Sequence, residues 1–128
     1  MTPPRYRQIT FLYTDDLPKM VAFYRDVMQL KPVIDQGAAV IFQINDGAYV
    51  GVCDLPHRPR GTDGIMVTFV CDVDAEYERL KAAGVQFDKP PAWYMDGTVY
   101  ATFFRDPEGY ALEIQAFRTP DWDVLFED

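Results

Sequence analysis

Two segments of the chain carry apolar residues at the spacing of an amphipathic helix. In both, the apolar positions recur every three or four residues, and a helix buries such a stripe against a core. Asp16 and Asp72 stand just before the two stripes and suit a helix N-cap, while Gly84 follows the second stripe and suits its end. The first stripe consists of Leu17, Val21, Tyr24 and Met28, and the second of Val73, Tyr77 and Leu80.

Shorter segments, rich in β-branched and aromatic residues, predict strands around these helices. Residues 9–16 and 65–72 each predict a strand that ends in a turn and a helix cap, at an offset of 65 − 9 = 56 positions. Two strands joined by a Gly-containing turn follow each helix, and a short strand precedes each pair. The paired strands are 39–44 with 49–53 and 98–104 with 110–116, and the short ones lie near 31–34 and 85–87. The order βαβββ therefore occurs twice, which predicts an α+β fold.

The repeat fits one domain that spans residues 1–128. The first module covers about residues 5–54, a Pro- and Gly-containing linker covers 55–64, and the second module covers about 65–117. The tail, 118–128, is acidic but also apolar, so it packs either on the domain or on a second subunit.

Charge and composition exclude several functions. The net charge of −8 disfavours nucleic acid, whose backbone requires a basic face, and is compatible with a cationic or neutral ligand. No apolar run is long enough to span a membrane, and no signal peptide is visible, so a cytoplasmic protein is expected. Two cysteines make no disulfide framework, and the single histidine, His57, lies in the linker, where a surface position is expected.

Two motifs resemble the glyoxalase/bleomycin-resistance/dioxygenase (vicinal-oxygen-chelate) superfamily. The first runs from Asp16-Leu17 through Phe23-Tyr24 to Met28-Gln29-Leu30, where Gln29 replaces the usual glycine. The second is the segment from Asp106-Pro107-Glu108-Gly109 to Leu112-Glu113-Ile114. The resemblance covers roughly residues 5–117 and implies two βαβββ modules that form half-open, curved mixed sheets. It also implies a homodimer in many members, with modules that pack within one chain or swap between two.

The resemblance further implies four metal positions, two in each module, one on its first strand and one on its last. Counting from Asp16 places the first on Ile9, and the offset of 56 places its equivalent on Ile65. Counting four residues from Gly109 and Gly47 places the others on Glu113 and Gly51. A divalent ion needs several N, O or S ligands, which two isoleucines and a glycine do not provide. We therefore expect no metal and no cofactor, as in the branch of the family that sequesters antibiotics.

The faces that carry these positions predict an apolar, aromatic small-molecule site. Gly51 is expected to leave room for a ligand ring, and Trp93 and Tyr94 to stack on a planar or cationic ligand. Glu113 is the polar candidate, either as an anchor for a ligand or as a structural acid bonded to Tyr13 or Gln115. The predicted ligand-binding residues are Ile9, Phe11, Tyr13, Tyr49, Gly51, Ile65, Phe69, Trp93, Tyr94 and Glu113.

Three functions fit these features. The leading one is a homodimer that binds and sequesters an aromatic or cationic compound without transforming it, as in antibiotic resistance. The alternative is a metal-free lyase or isomerase that uses Glu113 as acid or base, together with Tyr13 or Tyr49. The third is an accessory module whose tail, 119–128, docks a partner.

Overall fold

A computed structural model describes residues 6–57 and 61–118 of the chain. The chain divides into two compact units, Met1–Asp63 and Gly64–Asp128. The tail from residue 119 onward, including its predicted docking role, lies outside the described residues. Across the described part, no helix is long and apolar enough to cross a membrane.

The first unit is a four-stranded sheet with one helix on it. Its elements are β1 (Gln8–Tyr13), α1 (Leu17–Ala22), a π-helical turn (Phe23–Val27), β2 (Lys31–Asp35), β3 (Ala39–Asn45) and β4 (Ala48–Cys53). The strand order is β1-β4-β3-β2, with β1 parallel to β4 and the other pairs antiparallel. The helix lies against one face of this sheet, where Met20 and Tyr24 are buried and the rings of Tyr24 and Phe42 are 6.1 Å apart.

The helix begins where the sequence predicts. The Asp16 carboxylate accepts a hydrogen bond from the backbone N–H of Lys19 at 3.2 Å, and Pro18 occupies the first turn. The final turn is π-helical, because the N–H of Met28 bonds to the carbonyl of Phe23 five residues before it. Gln29 then adopts a left-handed conformation, with φ of 59°, at the position where the family motif has glycine.

The second unit repeats the plan. Its elements are β5 (Met66–Val70), α2 (Val73–Ala82), β6 (Ala92–Tyr94), β7 (Val99–Arg105) and β8 (Ala111–Phe117). The strand order is β5-β8-β7-β6, with β5 parallel to β8. Asp72 caps α2 through the N–H of Ala75, and Gly84, with φ of 97°, follows its end. The prediction of two βαβββ modules in an α+β fold is confirmed.

One predicted strand is wrong. Residues 85–87 are not a strand; instead the ring of Phe87 packs between those of Tyr77 and Phe104, at centroid distances of 4.7 and 5.3 Å. The short strand that pairs with β7 is instead β6, which directly follows Pro90-Pro91. β6 is a short edge strand, and prolines are tolerated beside such strands because only one side of an edge strand needs backbone donors.

Each sheet therefore has two faces of different character. We call the face against α1 or α2 the helix-side face and the other the open face. Strand residues alternate between the two faces, and register partners share a face. The helix-side faces hold the large fully buried side chains of the strands: Leu12, Phe42, Val50 and Val52 in the first unit, and Leu112 and Ile114 in the second. Some residues of the open faces are buried as well: Ala39, Ile41 and Cys53 in the first unit, and Ala101 in the second.

Candidate functional site

The open face of the first unit carries all five of its predicted ligand-binding residues. Ile9 is opposite Tyr49 and Phe11 is opposite Gly51 in the parallel β1–β4 pair, and Tyr13 follows by alternation. Ile9 and Phe11 remain 40% and 38% exposed although both are large apolar side chains. The sequence thus identified a coherent, partly exposed apolar face in this unit.

Gly51 does not leave open space, contrary to the prediction. A Cβ placed on Gly51 would lie 2.6 Å from Cδ1 and Cε1 of Phe11, because the Phe11 ring covers the glycine. The room that the glycine creates is filled by the protein's own side chain. A guest can use that room only if the Phe11 ring moves.

Glu113 is the polar centre of the open face in the second unit. Its Oε1 accepts hydrogen bonds from the Thr68 hydroxyl at 2.8 Å and from the Gln115 side-chain amide at 3.2 Å. These bonds fix the orientation of the carboxylate, and Oε2 has no further partner among the described residues. The predicted bond to Gln115 is present, while Thr68 was not anticipated.

The placement of Ile65 and Phe69 beside Glu113 is wrong. Glu113 is opposite Thr68 in the β5–β8 register, and Phe69 is opposite Ile114, so Phe69 lies on the helix-side face. Ile65 precedes β5 by one residue and has the same parity as Phe69. The pair Phe11–Gly51 in the first unit corresponds to the pair Thr68–Glu113 in the second. Ile9 lies two residues before Phe11, so its equivalent is Met66, two residues before Thr68.

A difference in loop length explains the error. Two residues, Thr14 and Asp15, separate β1 from its helix cap, whereas only Cys71 separates β5 from Asp72. The strands are therefore offset by 66 − 9 = 57 positions, although the caps are offset by 72 − 16 = 56. A slip of one residue moves every side chain of a strand to the opposite face.

Trp93 and Tyr94, predicted to act together, lie on opposite faces of the second sheet. Trp93 is opposite Tyr100 on the helix-side face, with ring centroids 4.9 Å apart, and the Arg118 guanidinium lies over the indole, 4.1 Å from its ring centroid. The indole thus already contacts the protein's own side chains. Tyr94 lies on the open face and meets Phe103 edge to face at 5.8 Å.

Phe103 is the main open-face residue that the sequence analysis missed. It is opposite Glu113 in the β7–β8 register and is 39% exposed. It also lines a cavity of about 220 Å³ with Asp88, Lys89, Tyr94 and Thr102. The sequence shows that Phe103 lies on the opposite face of its strand from Thr102 and Phe104. Which of the two faces is the open one follows only from its register with Glu113.

The residues at the family's metal positions do not fit a metal ion. After the register correction these positions are Ile9, Gly51, Met66 and Glu113. Hydrocarbon and glycine offer no ligand atom, a thioether is a weak donor, and one carboxylate is too few. Within residues 6–57 and 61–118, no three His, Cys, Asp or Glu side chains cluster in a way that could hold a metal.

Neither cysteine is placed for nucleophilic chemistry. Cys53 is buried in the first unit. Burial, together with the nearby negative charges of Glu76 and Asp72, raises the pKa of the Cys71 thiol to about 11. The thiol is therefore protonated at neutral pH. His57 is exposed, as the sequence predicted.

The two βαβββ units, each with a four-stranded mixed sheet, define the class of protein. The family model of the Glyoxalase/Bleomycin resistance protein/Dioxygenase superfamily matches residues 6–114, and the chain belongs to that superfamily. No curated protein matches the chain by sequence.

Solved structures share this architecture. A lactoylglutathione lyase from Agrobacterium tumefaciens is 26% identical, with a TM-score of 0.72 over 89% of this chain and 95% of that one. A glyoxalase/bleomycin resistance protein/dioxygenase from Nocardioides is 25% identical, with a TM-score of 0.72 over 91% of this chain and 85% of that one. A superfamily member from Sphaerobacter thermophilus is also 25% identical, with a TM-score of 0.72 over 88% and 98% of the two chains.

Proposed function

We propose that this protein binds a small aromatic or cationic organic compound on an open sheet face and holds it without a metal ion and without transforming it. The observation that carries the proposal is the make-up of the open faces. Exposed Ile9 and Phe11 make the open face of the first unit apolar. In the second unit, exposed Phe103 and Tyr94 share the open face with one oriented carboxylate, Glu113. Apolar surfaces with a few placed polar groups are typical of small-molecule sites.

The carboxylate gives the proposed site its charge preference. Glu113 Oε1 already accepts two hydrogen bonds, so Oε2 is the atom that can accept one from a protonated amine of a ligand. The net charge of −8 also favours a cationic ligand over an anionic one. As part of the same proposal, the protein is a cytoplasmic homodimer, and sequestration of a toxic compound confers resistance to it.

A thermal-shift screen followed by mass spectrometry tests this function. The screen contains bleomycin-type compounds and other planar amines, and we expect at least one to raise Tm and to be recovered chemically unchanged. If no compound raises Tm, or if the bound compound is converted to product, sequestration is wrong.

The Glu113→Gln variant, with Glu108→Gln as its control, tests the anchor. Glu108 lies exposed in the turn before β8, so its loss should leave affinity unchanged. For a cationic compound found in the screen, Glu113→Gln should weaken binding about tenfold or more, as expected for a hydrogen bond to a charged group. Equal affinities of the two variants would remove Glu113 from the site.

A second candidate function is a metal-free lyase or isomerase with Glu113 as acid or base. The likeness to the lyase from Agrobacterium tumefaciens favours it. So does Glu113 Oε2, which can exchange a proton with a substrate because the two hydrogen bonds to the carboxylate both go to Oε1. If this candidate is right, the wild type converts a compound to product and Glu113→Gln does not. Circular dichroism should show that the variant is still folded. Undiminished turnover in Glu113→Gln would eliminate it.

A further inference from the structure

The second unit contains a small cavity at the edge of its sheet. Its volume is about 220 Å³, and it lies where Asp88 and Lys89 approach β6 and β7. Sites for drug-sized ligands are larger, roughly 300–1,000 Å³. The cavity therefore suits a molecule with a single ring.

One wall of the cavity is aromatic. Tyr94 and Phe103 meet edge to face, with an interplanar angle of 78°, and each is more than one third exposed. Their exposed surfaces can contact the face or edge of one further ring, an arrangement that aromatic groups favour.

The cavity lining also includes one acidic and one basic residue. Asp88 and Lys89 are adjacent in sequence, and within the described part of the chain neither forms an ion pair. The buried Thr102 hydroxyl donates a hydrogen bond to the Lys89 carbonyl at 2.9 Å, which ties this segment to β7. This bond links the backbone that carries the two charged side chains to the strand that carries Phe103.

We propose that this cavity binds a single-ring aromatic zwitterion of the size of an aromatic amino acid. The ring lies on Tyr94 and Phe103, the ammonium group faces Asp88, and the carboxylate faces Lys89. The inference rests on the proposed function in one respect, because Tyr94 also belongs to the open face that carries Glu113.

Titrations of the full chain by amide NMR test the ligand class. The probes are L-phenylalanine, phenethylamine, which lacks the carboxylate, and 3-phenylpropionate, which lacks the amine. At concentrations on the order of 10 mM, L-phenylalanine should shift the amide signals of residues 88–89, 94 and 102–103. Each single-charge analogue should bind at least about threefold more weakly. No shift of these signals, or equal binding of all three probes, overturns the proposal.

Matched variants assign the contacts. Lys89→Met preserves the Thr102 bond to the backbone, and Tyr94→Ala removes part of the aromatic wall; Lys31→Met and Tyr6→Ala are the exposed controls. Each cavity variant should raise the Kd of L-phenylalanine about threefold to tenfold, and each control should leave it unchanged. Cavity variants that bind as well as the wild type overturn the proposal.

The failure of this inference differs from the failure of the proposed function. If a screened amine binds in a Glu113-dependent way but L-phenylalanine does not bind, the cavity assignment is wrong and the proposed function stands. If L-phenylalanine binds in a Lys89-dependent way but no screened compound binds, the cavity assignment is supported and sequestration on an open face is wrong.

Discussion

At the scale of single residues, the two units place different side chains at equivalent positions of the same sheet. Phe11 opposite Gly51 in the first unit corresponds to Thr68 opposite Glu113 in the second. In the first unit an apolar ring covers a glycine, whereas in the second a hydroxyl donates to a carboxylate. One open face is therefore apolar at this position, and the other carries the polar anchor.

The contact between Phe11 and Gly51 predicts an unequal response to alanine. Gly51→Ala places a methyl group against the Phe11 ring and should lower the free energy of unfolding by about 1–3 kcal/mol, because the ring must move. Gly47→Ala is the control, since no atom lies within 4 Å of its added Cβ. Urea denaturation measures both.

A double-mutant cycle isolates the cause. If the ring is responsible, Gly51→Ala should cost less in a Phe11→Ala background than in the wild type. Equal costs in the two backgrounds would show that the glycine is needed for another reason.

The raised pKa of Cys71 predicts a slow thiol. With a pKa of about 11 in place of 9.0, the thiolate fraction near pH 8 is about a hundredfold smaller. Alkylation of Cys71 by iodoacetamide, followed by peptide mass spectrometry, should be slow and should rise with pH until about 11. Unfolding in urea should restore ordinary reactivity. If the alkylation rate of the folded protein reached half its maximum at pH 9 or below, the raised pKa of Cys71 would be wrong.

At the scale of elements, the ends of helices and strands account for most of the local order. The helix caps Asp16 and Asp72 each accept the backbone bond that the sequence predicted. The turn before β8 depends on buried Asp106, whose Oδ1 accepts bonds from the N–H groups of Glu108, Gly109 and Tyr110, each at 3.0 Å. The family motif at this turn thus has a structural role in forming the β7–β8 hairpin.

Removing the Asp106 carboxylate should destabilise the second unit. Asp106→Ala leaves the buried N–H of Tyr110 and the part-buried N–H of Glu108 without this acceptor and should lower the free energy of unfolding by about 2–3 kcal/mol. Asp46→Ala, in the exposed turn between β3 and β4, should change it by less than about 0.5 kcal/mol. Denaturation of both variants in urea provides the comparison, and similar losses would argue against the three-donor turn.

The end of the π-helical turn predicts a stabilising substitution. Gln29 has φ of 59°, a conformation that glycine adopts more readily. Gln29→Gly should therefore raise the free energy of unfolding by about 0.5–1 kcal/mol. Gln86→Gly, at an exposed position without positive φ, should be neutral or destabilising. A lower Tm for Gln29→Gly would show that the side chain stabilises this turn.

At the scale of the whole chain, the sequence predicted the architecture better than the site. The spacing of apolar residues, every three or four positions in helices and every second position in strands, can be read from a single sequence. Both βαβββ units could therefore be predicted. The faces in the second unit could not, because Cys71 alone replaces the two-residue connection of the first unit. The Phe11 ring over Gly51 and the bond from Thr68 to Glu113 depend on strand register, which composition and spacing do not specify.

The most direct test of the account is a calorimetric titration of a screened compound into protein from which metals have been removed by a chelator. The residues at the family's metal positions do not fit an ion, so the chelator-treated protein should bind the compound with its full affinity. Added Zn²⁺, Ni²⁺ or Mg²⁺ should leave both the affinity and the stoichiometry unchanged. Binding that disappears with the chelator and returns with one metal equivalent per chain would contradict the account.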